Sequence, residues 1–160
     1  MAKIPTVAAA IRFMKRAHRG QKDLGGKPYW KHPVRVMARL GRSATIVEKH
    51  AALLHDVIED TGTTFQDIER AGFHADVLAV VELLTCPGTL TYQRYIKRLI
   101  ASGNAAALRV KLADLGDNMD GRRIIPDGRQ HSQLLRRHQR AEQLIRQHLR
   151  QGTPALRTKG

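Results

Sequence analysis

Cysteine is almost missing from this chain: Cys86 stands alone among 160 residues. One thiol forms neither an internal disulfide nor a cysteine-rich zinc site, and its solitude fits a reducing cytoplasm. Long apolar runs are missing too. No stretch approaches the roughly 20 residues needed to cross a bilayer. Arg12, Lys15 and Arg16 interrupt the first apolar segment, so neither a membrane span nor a signal peptide is expected. Aromatic residues make up 4%, too few to interleave with cations as single-strand nucleic-acid binders require. Alternating apolar and polar positions, the mark of a half-buried strand, do not occur at useful length, and there is no internal repeat. Acidic residues are scarce: 14 against 28 Lys and Arg, a net charge of +14. Such an excess implies anionic partners, namely phosphorylated small molecules, nucleic acid or acidic protein. After Gly121 ten basic residues face only Asp127 and Glu142. That stretch reads either as a solvated helix or as a positive rim for a polyphosphate or a nucleic acid.

Apolar residues make up 42%, enough for one core. Their spacing is helical nearly throughout. Val7, Ala10, Ile11, Met14 and Ala17 form one face, followed by a polar loop over 20–31. Pro33 opens a short helix. Ser43 is the expected N-cap of a central helix running to about Asp60, apolar almost all round over 51–54. Thr64 caps a short helix over 65–71. Further helices are expected over 75–84, 91–102, 105–119 and 130–151. The reading is an all-α, compact single-domain bundle over 1–152 with a flexible basic tail over 153–160.

The chemistry-bearing stretch is His55-Asp56-Val57-Ile58-Glu59-Asp60, directly behind the apolar run Ala51-Ala52-Leu53-Leu54. Buried ionisable groups without partners cost several kcal/mol each, and a metal ion relieves that cost. On a continuous helix His55 and Glu59 share one row and Asp56 and Asp60 the next, so Glu59 and Asp60 suit activation of a water. His32, before Pro33, and Asp114, ending an apolar run, complete two histidines and two aspartates as candidate metal ligands. This nitrogen–oxygen set suits Mn²⁺, Fe²⁺ or Zn²⁺. Asn118 lies one turn past Asp114. Lys22, Lys27 and Lys111 are candidates to hold phosphates, with Lys111 equally readable as a surface charge. His18 reads as a capping or core group. His50, His74, His131, His138 and His148 read as surface residues. Asp117, beside Asn118, reads either as a group supporting the metal site or as a surface charge, with the surface reading slightly favoured. Tyr29, Trp30, Tyr92 and Tyr95 read as packing residues.

The runs Ala17-His18…Gly20-Gln21, Gly26-Lys27-Pro28-Tyr29…His32-Pro33, Leu54-His55-Asp56…Glu59-Asp60-Thr61 and Leu112-Ala113-Asp114…Asn118 resemble the hydrolase domain of the RelA/SpoT family. The size is nearest the stand-alone small alarmone hydrolases, and the likeness covers most of 7–120. It implies a helical HD domain holding one Mn²⁺ through His32, His55, Asp56 and Asp114. Glu59 and Asp60 then activate and position water, and Asn118 helps hold substrate. The implied reaction removes pyrophosphate from the 3′ position of (p)ppGpp to leave GDP or GTP. One departure stands out: where the family carries an Arg-Lys pair after His-x-Gly-Gln, this chain has Asp23 and Leu24. Two further readings therefore stay open. One is an HD phosphohydrolase acting on another phosphorylated nucleotide. The other is a basic nucleic-acid- or partner-binding protein with a structural metal.

Overall fold

A computed structural model describes residues 4–122 and 128–152. Among them are nine helices in the order α1 (Val7–Ala17), α2 (Lys31–Arg39), α3 (Ile46–Leu54), α4 (Val57–Asp60), α5 (Phe65–Arg70), α6 (Ala75–Leu84), α7 (Tyr92–Ala101), α8 (Ala105–Asn118) and α9 (Gly128–Gln151). The described residues contain no strand, only an isolated bridge between Lys22 and Pro28. None of these helices is long and apolar enough to cross a membrane. The proposed tail over 153–160 lies outside the described residues.

The bundle is built on α3 and α8. Helix α3 packs against α1, α2, α6 and α8, and α8 also takes α7 and α9. Ala51, Ala52, Leu53 and Leu54 are fully buried, because a helix surrounded on every side has no solvent face to keep polar. Ala141 and Ile145 seal the other end, docking α9. Most helix starts are fixed locally. Thr6, Thr64, Thr91 and Asn104 each accept a backbone N–H of the first turn, which satisfies a donor that the helix itself leaves orphaned.

Two expectations about the central helix need correction. Its N-cap is Thr45, not Ser43: Thr45 accepts the Glu48 N–H while Glu48 accepts the Thr45 N–H, a reciprocal capping box. The helix also does not run unbroken to Asp60. Asp56 relaxes to φ −104° and ψ −5° and starts α4 afresh. His55 and Asp56 therefore stand at the junction of two helices, while the Asp60 N–H still bonds the Asp56 carbonyl at 2.9 Å.

The loop between α1 and α2 is a folded element. Asp23 Oδ1 accepts the N–H groups of Gly25 and Lys27 at 3.0 and 2.9 Å, and Gly26 sits at φ +77°, where a side chain would be strained. The Asp23 that replaces a family cation therefore folds its own turn. Lys22 and Lys27 stand exposed on this loop.

Candidate metal centre

Four side chains from three distant segments meet at one point. His32 comes from the first turn of α2, His55 and Asp56 from the break between α3 and α4, and Asp114 from one turn before the end of α8. The Nε2 atom of His32 lies 3.2 Å from Asp114 Oδ1 and 3.6 Å from Asp56 Oδ2. The Nε2 atom of His55 lies 2.9 Å from Asp56 Oδ2 and 3.6 Å from Asp114 Oδ1. His32, His55 and Asp114 are buried and Asp56 half-buried. Donor atoms that each sit about 2.0–2.2 Å from a shared ion are themselves roughly 3 Å apart; the donor atoms of His32, His55 and Asp56 all lie within 4.8 Å of one another, and Asp114 joins them through its approach to both imidazoles.

Tautomers decide whether the donors suit a cation. The Nδ1 of His55 faces the Ala52 carbonyl at 2.8 Å. A carbonyl only accepts, so Nδ1 carries the proton and Nε2 presents a lone pair. The Nδ1 of His32 likewise donates to Asp117 Oδ2 at 2.8 Å. In the neutral imidazoles, two lone pairs therefore point at two carboxylates, an arrangement that repels itself unless a positive charge lies between. His55 Nε2 is buried and makes no hydrogen bond of acceptable geometry, although Asp56 lies so close. The residues thus fit a divalent ion of the kind that nitrogen and oxygen donors hold. In a protein without metal, protons supply the missing charge. Burial works against the charged form of His55, but the negative charges of Asp56 and Asp114 beside it raise its pKa well above the ordinary value. His32 is raised in the same way against burial, through hydrogen bonds to Asp114 and Asp117.

A second ring of residues holds the four in place. Asp117 is fully buried, which overturns its reading as a surface charge. It accepts His32 Nδ1 and is gripped by Arg35 through Nε at 2.8 Å and Nη2 at 3.0 Å. Burial raises the Asp117 carboxyl, but these hydrogen bonds win and hold it well below the usual range. Arg39 adds an ion pair with Asp120 at 2.7 Å, crossing α8 at Gly116, where a Cβ would begin 3.4 Å from its guanidinium. On the opposite side the Tyr29 hydroxyl donates to Asp56 Oδ2. Tyr29 is therefore more than loop packing, although its ring does stack on His18 and His32.

Lys111 is buried rather than a surface charge, with Nζ 2.8 Å from Asp114 Oδ2. Burial lowers its pKa, but Asp114 more than compensates and holds it charged. Asn118 Nδ2 donates to Asp114 Oδ1 at 2.7 Å. Glu59 accepts the Cys86 N–H at 2.9 Å, and burial, the largest influence, pushes its carboxyl up. Asp60 is reached from the other direction, by Gln21 Nε2 at 3.2 Å, and Gln21 Oε1 in turn accepts His18 Nδ1 at 2.7 Å. Lys22 and Lys27 make no ion pair among the described residues.

The partners of two residues were not legible in the sequence. Asp117 and Tyr29 have partners 85 and 27 residues away, and no local pattern announces such a contact. His50, expected at the surface, is fully buried against Phe73, with ring centroids 5.3 Å apart.

Comparison with known proteins identifies the family. The model of the HD domain family matches residues 10–116. The guanosine-3′,5′-bis(diphosphate) 3′-pyrophosphohydrolase MESH1 of Danio rerio is 32% identical over 127 residues, covering 74% of this chain and 70% of that protein. MESH1 of Homo sapiens is 39% identical over 128 residues, with coverages of 74% and 71%. The bifunctional (p)ppGpp synthase/hydrolase SpoT of Escherichia coli K12 is 34% identical over 127 residues, 73% of this chain but only 18% of that longer protein. A solved structure of a metazoan ortholog of SpoT that hydrolyses ppGpp superimposes with a TM-score of 0.71 at 25% identity. It covers 94% of this chain and 98% of its own.

Proposed function

This chain belongs to the HD domain family, and from that premise we propose that it is a (p)ppGpp 3′-pyrophosphohydrolase that uses one divalent ion, with Mn²⁺ the metal it carries. The observation that carries the reading is the convergence of two imidazole lone pairs and two carboxylates at the ends of α2, α3 and α8. Its relatives of similar size are named for that reaction.

His32, His55, Asp56 and Asp114 would hold the ion, which supplies Lewis acidity toward a phosphoryl oxygen and a nucleophilic water near neutral pH. Water adds to the phosphorus attached to the 3′ oxygen, and the bond between them breaks. Pyrophosphate leaves with the water's oxygen, and the 3′ oxygen takes up a proton. Glu59, whose carboxyl is pushed up by burial, is suited to hold and deliver that proton. Asp60, steadied by Gln21, orients the water from the other side. Lys111 holds the Asp114 carboxylate ionised and aimed. Asn118, which bonds the same carboxylate, would help hold the substrate. Lys22 and Lys27 contribute positive potential at the mouth. The cytoplasm, where nucleotides are found, is the compartment that fits a chain with a single cysteine.

One observation favours a second substrate. Asp23 is spent on its own turn and Leu24 is exposed, so this loop lacks the Arg-Lys pair of the family. Purified protein with Mn²⁺, offered ppGpp, pppGpp and other 3′-phosphorylated nucleotides, should release pyrophosphate from ppGpp, and Asp56→Ala should abolish it. Turnover of the other nucleotides alone would replace the alarmone reading.

A further inference from the structure

The stretch His18-Arg19-Gly20-Gln21 lies outside the four-residue cluster, yet its geometry is closely fixed. His18 closes α1, its N–H bonding the Met14 carbonyl at 3.0 Å, and only 2% of the residue is exposed. Gly20 turns the chain back at φ +78°, a backbone value that glycine adopts without strain. Gln21 then returns over His18. Its N–H bonds the His18 carbonyl at 3.1 Å, and its own carbonyl accepts the Tyr29 N–H at 3.0 Å. With the main chain held on both sides, only the Gln21 side chain is left to aim.

That side chain joins two distant groups. Gln21 Nε2 donates to Asp60 Oδ2 at 3.2 Å, and Gln21 Oε1 stands 2.7 Å from His18 Nδ1. A carboxylate only accepts, so the end of the amide facing Asp60 is the NH2 group. The carbonyl end therefore faces His18, and Nδ1 there carries the proton. His18 Nε2 is then left as an acceptor, buried and with no hydrogen-bond partner. A residue that only filled the core would do so better without that nitrogen. With the proton on Nε2 instead, Nδ1 would draw the amide NH2 to itself and set Oε1 against the Asp60 carboxylate. One proton on a buried imidazole thus decides which way the amide points.

Asp60 needs such a hold. It is exposed at the end of α4, where Thr61 leaves the helix for extended backbone. Among the described residues no other side chain bonds its carboxylate, and an untethered one samples several rotamers. It nevertheless stands beside the metal centre: burial raises the Tyr29 pKa most, and the charges of Asp56 and then Asp60 add to the rise. The Tyr29 ring links the two regions, stacked on His18 at 4.8 Å between centroids while its hydroxyl holds Asp56.

We infer that His18 and Gln21 are positioning residues for the hydrolysis: the Nδ1 proton of His18 fixes the Gln21 amide, and the amide holds Asp60 by Oδ2, which keeps Oδ1 for the attacking water. The inference rests on the function proposed above and deepens it.

Asparagine and glutamine separate this role from packing, because the Asn amide nitrogen falls at the place of Nδ1 and the Gln nitrogen at the place of Nε2. With Mn²⁺ and ppGpp, His18→Gln and Gln21→Leu should each lower kcat by about tenfold or more, the worth of a hydrogen bond to a charged group. His18→Asn should stay within about threefold of the wild-type kcat, and KM and Mn²⁺ affinity should move less than about threefold in all three variants. The double variant His18→Gln/Gln21→Leu should be no slower than Gln21→Leu, since members of one chain of hydrogen bonds do not add. Equal losses in His18→Asn and His18→Gln, an unchanged kcat in Gln21→Leu, or losses that multiply in the double variant overturn the inference. Circular dichroism checks that each variant folds. If neither His18 variant folds, or if wild type leaves ppGpp intact and the proposed function fails by itself, the His18 tautomer judges the relay alone. It is read from two-bond proton–nitrogen spectra of protein loaded with Zn²⁺ in place of paramagnetic Mn²⁺. A proton on Nδ1 alone in wild type, released from it in Gln21→Leu, supports the relay. Any other state in wild type, or the same state in Gln21→Leu, overturns it.

Discussion

Two histidines five residues apart on and just after α3 are buried alike and live in opposite surroundings. His50 faces the apolar side, edge-on to Phe73, and neither ring nitrogen finds a partner. His55 closes the helix among carboxylates, with its Nδ1 proton fixed by the Ala52 carbonyl. Burial lowers the pKa of His50. The same burial is outweighed at His55, where Asp56 and Asp114 raise it. Burial alone therefore says little about a histidine: what stands opposite its second nitrogen decides whether it is a packing residue or a ligand.

The comparison breaks most visibly at the carboxylates. Asp56→Ala should remove metal binding and lower turnover by about 10³-fold or more, because Lewis-acid stabilisation is worth several kcal/mol. Measured metal content and initial rates check this. If His55 is merely a second buried histidine, the variant keeps its metal affinity.

The pH response should differ in sign between the two sites. His32 and His55 must lose protons to bind metal, so affinity should climb as pH rises through their raised values. The slope approaches about a hundredfold per pH unit for two protons. In the metal-free protein the charged imidazoles add stability that is fully present below about pH 6.5. It is lost as pH rises through the raised folded values. Titrations of metal affinity and thermal melts of metal-free protein between pH 5 and pH 9 read both trends, and a flat affinity profile would count against the ligand assignment.

Asp117→Asn keeps the shape but weakens the acceptor that orients His32. Metal affinity should fall about 10–100-fold while the fold persists. Calorimetry and circular dichroism separate the two effects, and an unchanged affinity would reduce Asp117 to a structural partner of Arg35.

The smallest effect belongs to His50. Its lowered pKa means that its stability contribution is present above about pH 6.5 and is lost as pH falls. Replacing it with leucine removes two unsatisfied nitrogens and should raise stability by about 1 kcal/mol, and the melting temperature should then depend less on pH between 5 and 6.5. Equal pH dependence in both proteins would contradict the account of His50.

Much of this architecture was readable before any coordinates. Helix α6 (Ala75–Leu84) matches its expected span because a run of valine and leucine between His74 and the Cys86-Pro87-Gly88 loop has no rival arrangement. The break at Asp56 was not readable, since both His55 and Asp56 tolerate helical geometry and only tertiary demand separates them. The cap at Thr45 carries a local Thr-x-x-Glu signal, but the sequence reading places it at Ser43, closer to the preceding glycine. Asp117 and Tyr29 were hidden for a different reason. Each is polar or aromatic in a mixed neighbourhood, and each acquires its role from a side chain that the fold, not the chain, brings near.

The most direct test of the whole account is equilibrium titration of Mn²⁺ into metal-free wild type and into Asp114→Asn at neutral pH, with proton release followed in parallel. The account predicts one ion per wild-type chain, protons released on binding, and strongly weakened binding in the variant. Absence of a bound ion in wild type, or binding of equal strength in Asp114→Asn, would contradict it.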